Sequence, residues 1–388
     1  ACDVPLAQQS PAAGQTLAAV DFDRVGNAFA VWNDNRTGNN SIYGALFTRL
    51  SSQWHGDVSI PGSSLPAASA PAVAFGPVGE TIAVWAAVNG GDSDIWAALR
   101  PATDGTWFAP VQVNDDSAPP AVQERPDVVI TRGGDTYVVW EDSRLGDPDI
   151  FWTRRQRGNP AWEPARRLHP TSTGIQLQPA IVADGLGNVH VVWVDRRGVQ
   201  SLVMIAHLRS GSSTWSPPEP VGGSLPPSAH PANPSLAIDR SGNMIVAWED
   251  NRQAATAPDI FFSRREAVPG STWSAPVPLH DVAAGAQRWP ALAAFDTVVA
   301  AWEDARLGDS DIYQAWLKPD GSGWETNRRI NRDAPGAVQS HPDIALDPDG
   351  NAVIVWTDAR NAGLAPDVYV CYRRGLERYP LYQPLILR

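Results

Sequence analysis

Short runs of small and β-branched residues succeed one another along the chain, each ended by Gly, Asn, Asp or Pro. One kind of run closes on tryptophan, as in Tyr137-Val-Val-Trp140 and Val353-Ile-Val-Trp356. Seven tryptophans share that position: Trp32, Trp85, Trp140, Trp193, Trp248, Trp302 and Trp356, separated by 53, 55, 53, 55, 54 and 54 residues. A second series, Trp54, Trp107, Trp162, Trp215, Trp273 and Trp324, follows 22 residues later in five cases and 25 in the fifth repeat. Around each pair the pattern predicts four strands. The first is a Pro followed by small residues (Pro71-Ala-Val-Ala-Phe75), and the second ends at the first-series Trp. The third starts Asp-Ile-aromatic (Asp149-Ile-Phe151), and the fourth begins at the second-series Trp (Trp273-Ser-Ala-Pro-Val-Pro-Leu279). Turn formers separate them, and no helical period is sustained. Seven such units predict an all-β chain: one seven-bladed β-propeller domain over 1–388, with repeats of about 54 residues and four-stranded antiparallel blades. A solenoid is the competing arrangement, but no atypical capping repeats are visible.

The last unit lacks a second-series Trp. The N-terminal Asp3-Val-Pro-Leu6 matches Pro276-Val-Pro-Leu279, so residues 1–10 are expected to complete the last blade and close the ring. On that alignment Cys2 falls opposite Cys371, and the two cysteines of the chain become a disulfide between its ends. Two alternatives remain: a lipid-carrying Cys2, because Ala1-Cys2 is like the end of a lipoprotein cleavage site, and Tyr379-Pro380 through Leu385 as the closing strand.

Composition narrows the function classes. Of 30 basic residues 29 are arginine, Lys318 being the single lysine, and the net charge is −12. Schiff-base chemistry would therefore fall on Lys318 alone, and a nucleic-acid partner, which needs a basic face, is not expected. No stretch reaches the roughly 20 apolar residues of a membrane helix. No signal peptide is visible, so any targeting segment is expected to have been removed. The seven histidines show no metal spacing, and no phosphate loop or hydrolase elbow appears, so neither metal nor cofactor is expected.

Charges recur with the repeat. After the first-series Trp most units read Asp-x-Arg, and an Asp opens the third strand: Asp142/Arg144/Asp149, Asp250/Arg252/Asp259, Asp304/Arg306/Asp311 and Asp358/Arg360/Asp367. Units one and four keep Asp34/Arg36 and Asp195/Arg197, whereas unit two has Ala87 and Asn89 with Asp94 retained. The expectation is a structural clasp, one guanidinium holding two carboxylates across the turn between strands two and three. Repeated anion or sugar sites are the functional alternative. By the same logic Asp347, Asp349 and Asn351 read as turn formers rather than calcium ligands.

The repeats differ where the chain enters each first strand. Gln15, Gln123, Gln176, Gln287 and Gln339 recur there, but the residue before the Pro varies: Ala70, Arg125, Gln178, Asn233, Trp289 and His341. In a propeller these positions ring the mouth of the central channel, so Arg125, Gln178, Asn233, Arg288, Trp289 and His341 are the candidate ligand contacts. Trp289 belongs to neither tryptophan series and suits stacking on a sugar or peptide. Asp127 and Asp343, just after their prolines, are the weak candidates for a catalytic acid and base; solvated entrance charges are the commoner meaning of such residues.

The turn into the second-series Trp, as in Asp104-Gly-Thr-Trp107, Gly211-Ser-Ser-Thr-Trp215, Gly270-Ser-Thr-Trp273 and Asp320-Gly-Ser-Gly-Trp324, resembles the Asp-box (BNR) repeat of sialidase-like propellers. The resemblance spans the chain in organisation, although no copy of the motif is complete. It implies the fold and not hydrolysis, since in that family the box is a structural turn away from the active site. Sialidases are six-bladed and carry an arginine triad, a Tyr–Glu nucleophile pair and an Asp acid/base. Here there are seven units, no tyrosine in an obvious nucleophile context, and no Phe/Tyr-Arg-Ile-Pro segment. The resulting expectation is a secreted or cell-surface monomer that recognises a glycan or a surface protein. A sialidase-like glycoside hydrolase and a scaffold without a discrete site are the alternatives.

Overall fold

A computed structural model describes residues 2–6, 13–63, 67–89, 91–103, 105–115, 121–169, 174–198, 200–252, 258–282, 284–361 and 365–375. These form seven antiparallel sheets and no α-helix. Blade 3 illustrates the unit: an inner strand Gln123–Ile130, a second strand Thr136–Asp142, a third Asp149–Arg155 and an outer strand Arg166–Arg167, hydrogen-bonded in that order. The inner strands of neighbouring blades lie side by side, and blade 7 lies against blade 1, which closes the ring. The solenoid alternative falls with that closure.

The tryptophan period is the period of the core. All seven first-series indoles are fully buried. The buried apolar residues form seven clusters, and each joins two adjacent blades rather than filling one: Trp140 of blade 3 packs with Ile82, Val84 and Ile95 of blade 2, and Trp356 of blade 7 with Val299 and Ile312 of blade 6. Side chains alternate across a strand. Since the Trp faces the preceding blade, the residue after it faces the following one.

The outer strand is shorter than the sequence predicts. It is a two-residue ladder in six blades, for example Val277–Pro278, and the second-series Trp mostly lies outside it. Prolines in this segment, such as Pro276 and Pro278, lack the amide a ladder needs. The indole instead covers the edge of an inter-blade cluster, as Trp162 and Trp273 do.

Cys2–Pro5 is the outer strand of blade 7, with Cys2 opposite Cys371 and the two sulfurs bonded. The lipid-carrying alternative for Cys2 falls with that bond. The competing closing segment Tyr379–Leu385 lies outside the described residues, and its place is taken.

Candidate functional site at the channel mouth

Each inner strand carries one extra residue near its start. In blade 3 Glu124 faces Glu141 and Asp127 faces Val139, so two residues, Arg125 and Pro126, oppose one, Trp140, a β-bulge. The residue that absorbs the bulge sits in the left-handed region in every blade: Leu17, Ala70, Arg125, Gln178, Asn233, Trp289 and His341, with φ between 48° and 58°. That conformation costs a non-glycine residue about 1–2 kcal/mol. It turns these side chains out of the ladder and toward the axis.

The strain is held by side chains of the preceding blade. Glu141 Oε1 accepts the Gln178 amide at 2.7 Å, Glu249 Oε1 the Trp289 amide at 2.8 Å, and Glu303 Oε1 the His341 amide at 2.7 Å. Thr357 Oγ1 accepts the Leu17 amide at 3.1 Å. Each acceptor is the residue after a first-series Trp, on the strand face directed at the following blade. In blade 4 that position is Val194, and the Asn233 amide goes instead to Gln178 Oε1 at 2.9 Å. The carboxamide of Asn233 in turn donates to Glu249 at 2.5 Å. Gln178, Asn233, Glu249 and the Trp289 amide thus form one continuous chain of hydrogen bonds around the rim.

Inside this ring is a cavity of about 670 Å³ lined by Arg125, Gln178, Asn233, Trp289 and His341, with Asp127 and Asp343 at its floor. Five of the six candidate contacts therefore converge. Arg288 does not line the cavity; it is exposed on the rim, near enough to Glu303 to act on its charge. The Trp289 and His341 rings pack 4.3 Å apart at 41°, making an aromatic wall from blades 6 and 7. Arg125 Nε lies 3.4 Å from Glu141, so the one arginine in the lining is partly engaged.

Below the mouth the channel holds a second cavity of about 360 Å³, whose lining includes Ala72, Ala74, Ala293 and Ala345. Asp127 and Asp343 face it, but each carboxylate ties two inner strands together. Asp127 accepts the amides of Val128 and, in the next blade, Ile181, at 2.8 and 2.9 Å. Asp343 reaches Val20 across the closure at 2.8 Å. Asp21, which sequence reasoning overlooked, does the same for Phe75 at 2.8 Å. Burial pushes Asp21 and Asp343 up to about 7 and Asp127 to about 6. Their geometry is that of inter-blade ties with shared, reluctant charge.

Glu141 and Glu303 lie behind the mouth, buried under the bulged residues they hold and outside the cavity lining. Burial pushes both up to about 7, against the opposing pull of the Gln178 and His341 amides. His341 is pushed down, first by burial and then by the charge of Arg125. Near neutral pH the mouth therefore holds at its floor two carboxyls, Asp127 and Asp343, that can donate or accept, beside a largely neutral imidazole. The signal that could have found these glutamates was the tripeptide Trp-Glu-Asp at 140–142, 248–250 and 302–304, read with strand alternation.

The Asp-x-Arg clasps lie on the same face, and their second carboxylate differs from expectation. Arg144 grips Asp142 at 2.7 Å, but its other partner is Asp115, from the connector leaving blade 2, at 3.3 Å, not Asp149. Arg306 grips Asp304 and, likewise, Asp281. Arg36 and Arg360 reach Asp57 and Asp3 on outer segments of their own blades. The opening Asp of strand three has separate partners: Asp149 pairs with Arg167, Asp311 with Arg329, and Asp94 accepts from Gln112 and Asn114. The guanidinium is occupied above and below. Trp140 and Trp302 donate to the same Asp at 2.8 and 3.0 Å, and Arg144 and Arg306 lie over Phe151 and Tyr313 at 4.6 and 4.4 Å. Asp347 and Asn351 close a turn by mutual hydrogen bonds, repeated at Asp23/Asn27, Asp184/Asn188 and Asp239/Asn243. Among the described residues no group of His, Cys, Asp or Glu is arranged to hold a metal ion.

No family model matches the chain, and no curated protein is recognisably similar to it in sequence. Solved structures are similar in fold. The polysaccharide lyase Uly1 matches with a TM-score of 0.60 at 11% identity, over 92% of this chain and 89% of its own. An α-L-arabinanase of Penicillium chrysogenum, solved with arabinobiose, matches at 0.54 and 13%, over 82% and 97%. A leech intramolecular trans-sialidase matches at 0.51 and 8%, over 96% and 70%. At such identities the likeness is one of fold. It bears out the resemblance to sialidase-like propellers at that level, without a close match to a catalytic sialidase.

Proposed function

We propose that this propeller is a recognition protein that binds an uncharged segment of a glycan at the channel mouth. The observation that carries the reading is the Trp289–His341 wall beside the hydrogen-bonded Gln178–Asn233 pair in a cavity of about 670 Å³. Apolar sugar faces stack on such rings, and hydroxyls pair with amides and half-protonated carboxyls. A carboxylate-bearing sugar fits less well, because Arg125 is shared with Glu141 and acidic groups surround it. The Cys2–Cys371 disulfide supports an oxidising, extracytoplasmic setting, secreted or at the cell surface. Among the described residues no helix is long and apolar enough to cross a membrane. The whole of 1–388 acts in this reading as one monomeric domain.

A second reading, a glycoside hydrolase in the same mouth, is favoured by one feature: Asp127 and Asp343 line the cavity, and burial raises them to about 6 and about 7, where one carboxyl can be protonated while the other is ionised. The fold of the arabinanase makes arabino-oligosaccharides a sensible first panel. A glycan array followed by calorimetry tests binding, and chromogenic glycosides with Asp343→Asn test turnover. Binding without turnover supports recognition. Turnover lost in Asp343→Asn supports the hydrolase, and silence in both assays leaves the scaffold alternative.

A further inference from the structure

On the face opposite the mouth, between blades 2 and 3, lies a cleft of about 500 Å³. Its apolar walls are Ile82, Leu99, Phe108, Val111 and Trp162, and its charges come from Glu80, Arg155 and Arg157. Phe108 and Val111 are each about half exposed, at 52% and 48%, with no described segment covering them. Arg155, at the end of the third strand of blade 3, reaches into this cleft over the Trp162 ring, 5.6 Å from its centre. Among the described residues its guanidinium has no hydrogen bond and no carboxylate within ion-pair distance. Burial pushes its affinity for the proton below the ordinary arginine value, with Glu80 the opposing influence.

The same chain supplies the comparison. Arg265 holds the equivalent place in blade 5, six residues after the opening Asp of strand three, and it too lies over the second-series indole, Trp273, at 4.9 Å. There the charge is answered. Glu219, on the outer strand of blade 4, pairs with Arg265, and His207 Nε2 lies 3.0 Å from it. By strand register the positions of Glu219 and His207 are taken in blade 2 by Val111 and Leu99. The cleft between blades 2 and 3 thus keeps the cation and the aromatic floor but has lost both polar partners.

We propose that this cleft is a second binding site, independent of the mouth, for a small monoanion with an apolar aromatic body and one carboxylate. The planar guanidinium accepts a carboxylate through paired hydrogen bonds, and the Phe108–Trp162 walls take the ring. Glu80, which lines the cleft with its carboxylate on the Val78 amide at 3.0 Å, sets the charge limit by opposing a dianion.

The test is calorimetric titration of the whole protein at pH 7 with 4-phenylbutyrate, and with 4-phenylbutan-1-ol as its uncharged counterpart. The acid is expected to bind at least about tenfold more tightly than the alcohol. Val111→Glu rebuilds the Glu219 arrangement and is expected to weaken the acid about tenfold or more without lowering the melting temperature. Arg155→Met is expected to erase the preference for acid over alcohol while leaving the alcohol unchanged. Equal binding of acid and alcohol, unchanged affinity in Val111→Glu, or no saturation by the acid below roughly 10 mM would overturn the proposal.

Discussion

Replacing Glu303 by Gln keeps the acceptor for the His341 amide and removes the charge, so it isolates what burying that charge costs. Glu303 is 7% exposed and titrates near 7 in the folded chain, against 4.5 for an ordinary glutamate. A carboxyl whose proton is held more tightly in the folded state contributes its full stability below the unfolded value. That contribution drains away as pH rises from 4.5 through 7 and is gone above it. At about 1.36 kcal/mol per pH unit the window amounts to roughly 3 kcal/mol, an upper figure for a single group. The assay is urea unfolding of wild type and Glu303→Gln at matched pH values from 4 to 8.5. The difference between the two proteins is expected to be small at pH 4 and to grow to as much as roughly 3 kcal/mol in favour of the glutamine variant by pH 8. A difference that stays constant across the range, or grows against the variant, would refute the reasoning.

Three further outcomes follow from named contacts. Replacing Cys2 and Cys371 together by Ser opens a crosslink between residues 369 apart, and a loop of that size is worth roughly 6 kcal/mol in the chain-entropy model, read as a lowered unfolding midpoint. Asp304→Ala strands the Arg306 guanidinium and the Trp302 indole N–H with their main acceptor gone, at a cost of about 3–5 kcal/mol; Arg306→Met in the same background should recover part of the loss, which a double-mutant cycle measures. Trp85→Ala empties a fully buried site whose indole N–H has no partner, so its cost should be that of a cavity alone, about 3–5 kcal/mol by denaturant titration.

The blade number was legible because one residue per unit must fill the wedge between sheets, and only an indole at that depth does so in all seven. The ring closure was legible for a similar reason: the strand-four pattern Val-Pro-Leu identifies its place whichever end of the chain supplies it. The clasp was legible only in part. Arg144 and Asp142 are two residues apart, a local relation, whereas Asp115 arrives from another blade along a connector whose sequence does not repeat. The outer strands were overread because aliphatic alternation continues through prolines that cannot donate to a ladder. At the mouth the variable positions were found from their differences, but the left-handed bulge that aims them was not. No glycine marks it; side chains of the preceding blade hold it in place. The glutamates that do so were hidden beside a conspicuous tryptophan, one step along the strand and on its other face.

Recognition at the mouth is tested most directly by the affinity of Trp289→Ala for the tightest-binding glycan of an array, measured by calorimetry beside wild type and Arg155→Met. Loss of stacking should weaken the glycan by about tenfold or more in Trp289→Ala and leave it unchanged in Arg155→Met. A Trp289→Ala protein that stays folded and binds the glycan with wild-type affinity would contradict the account.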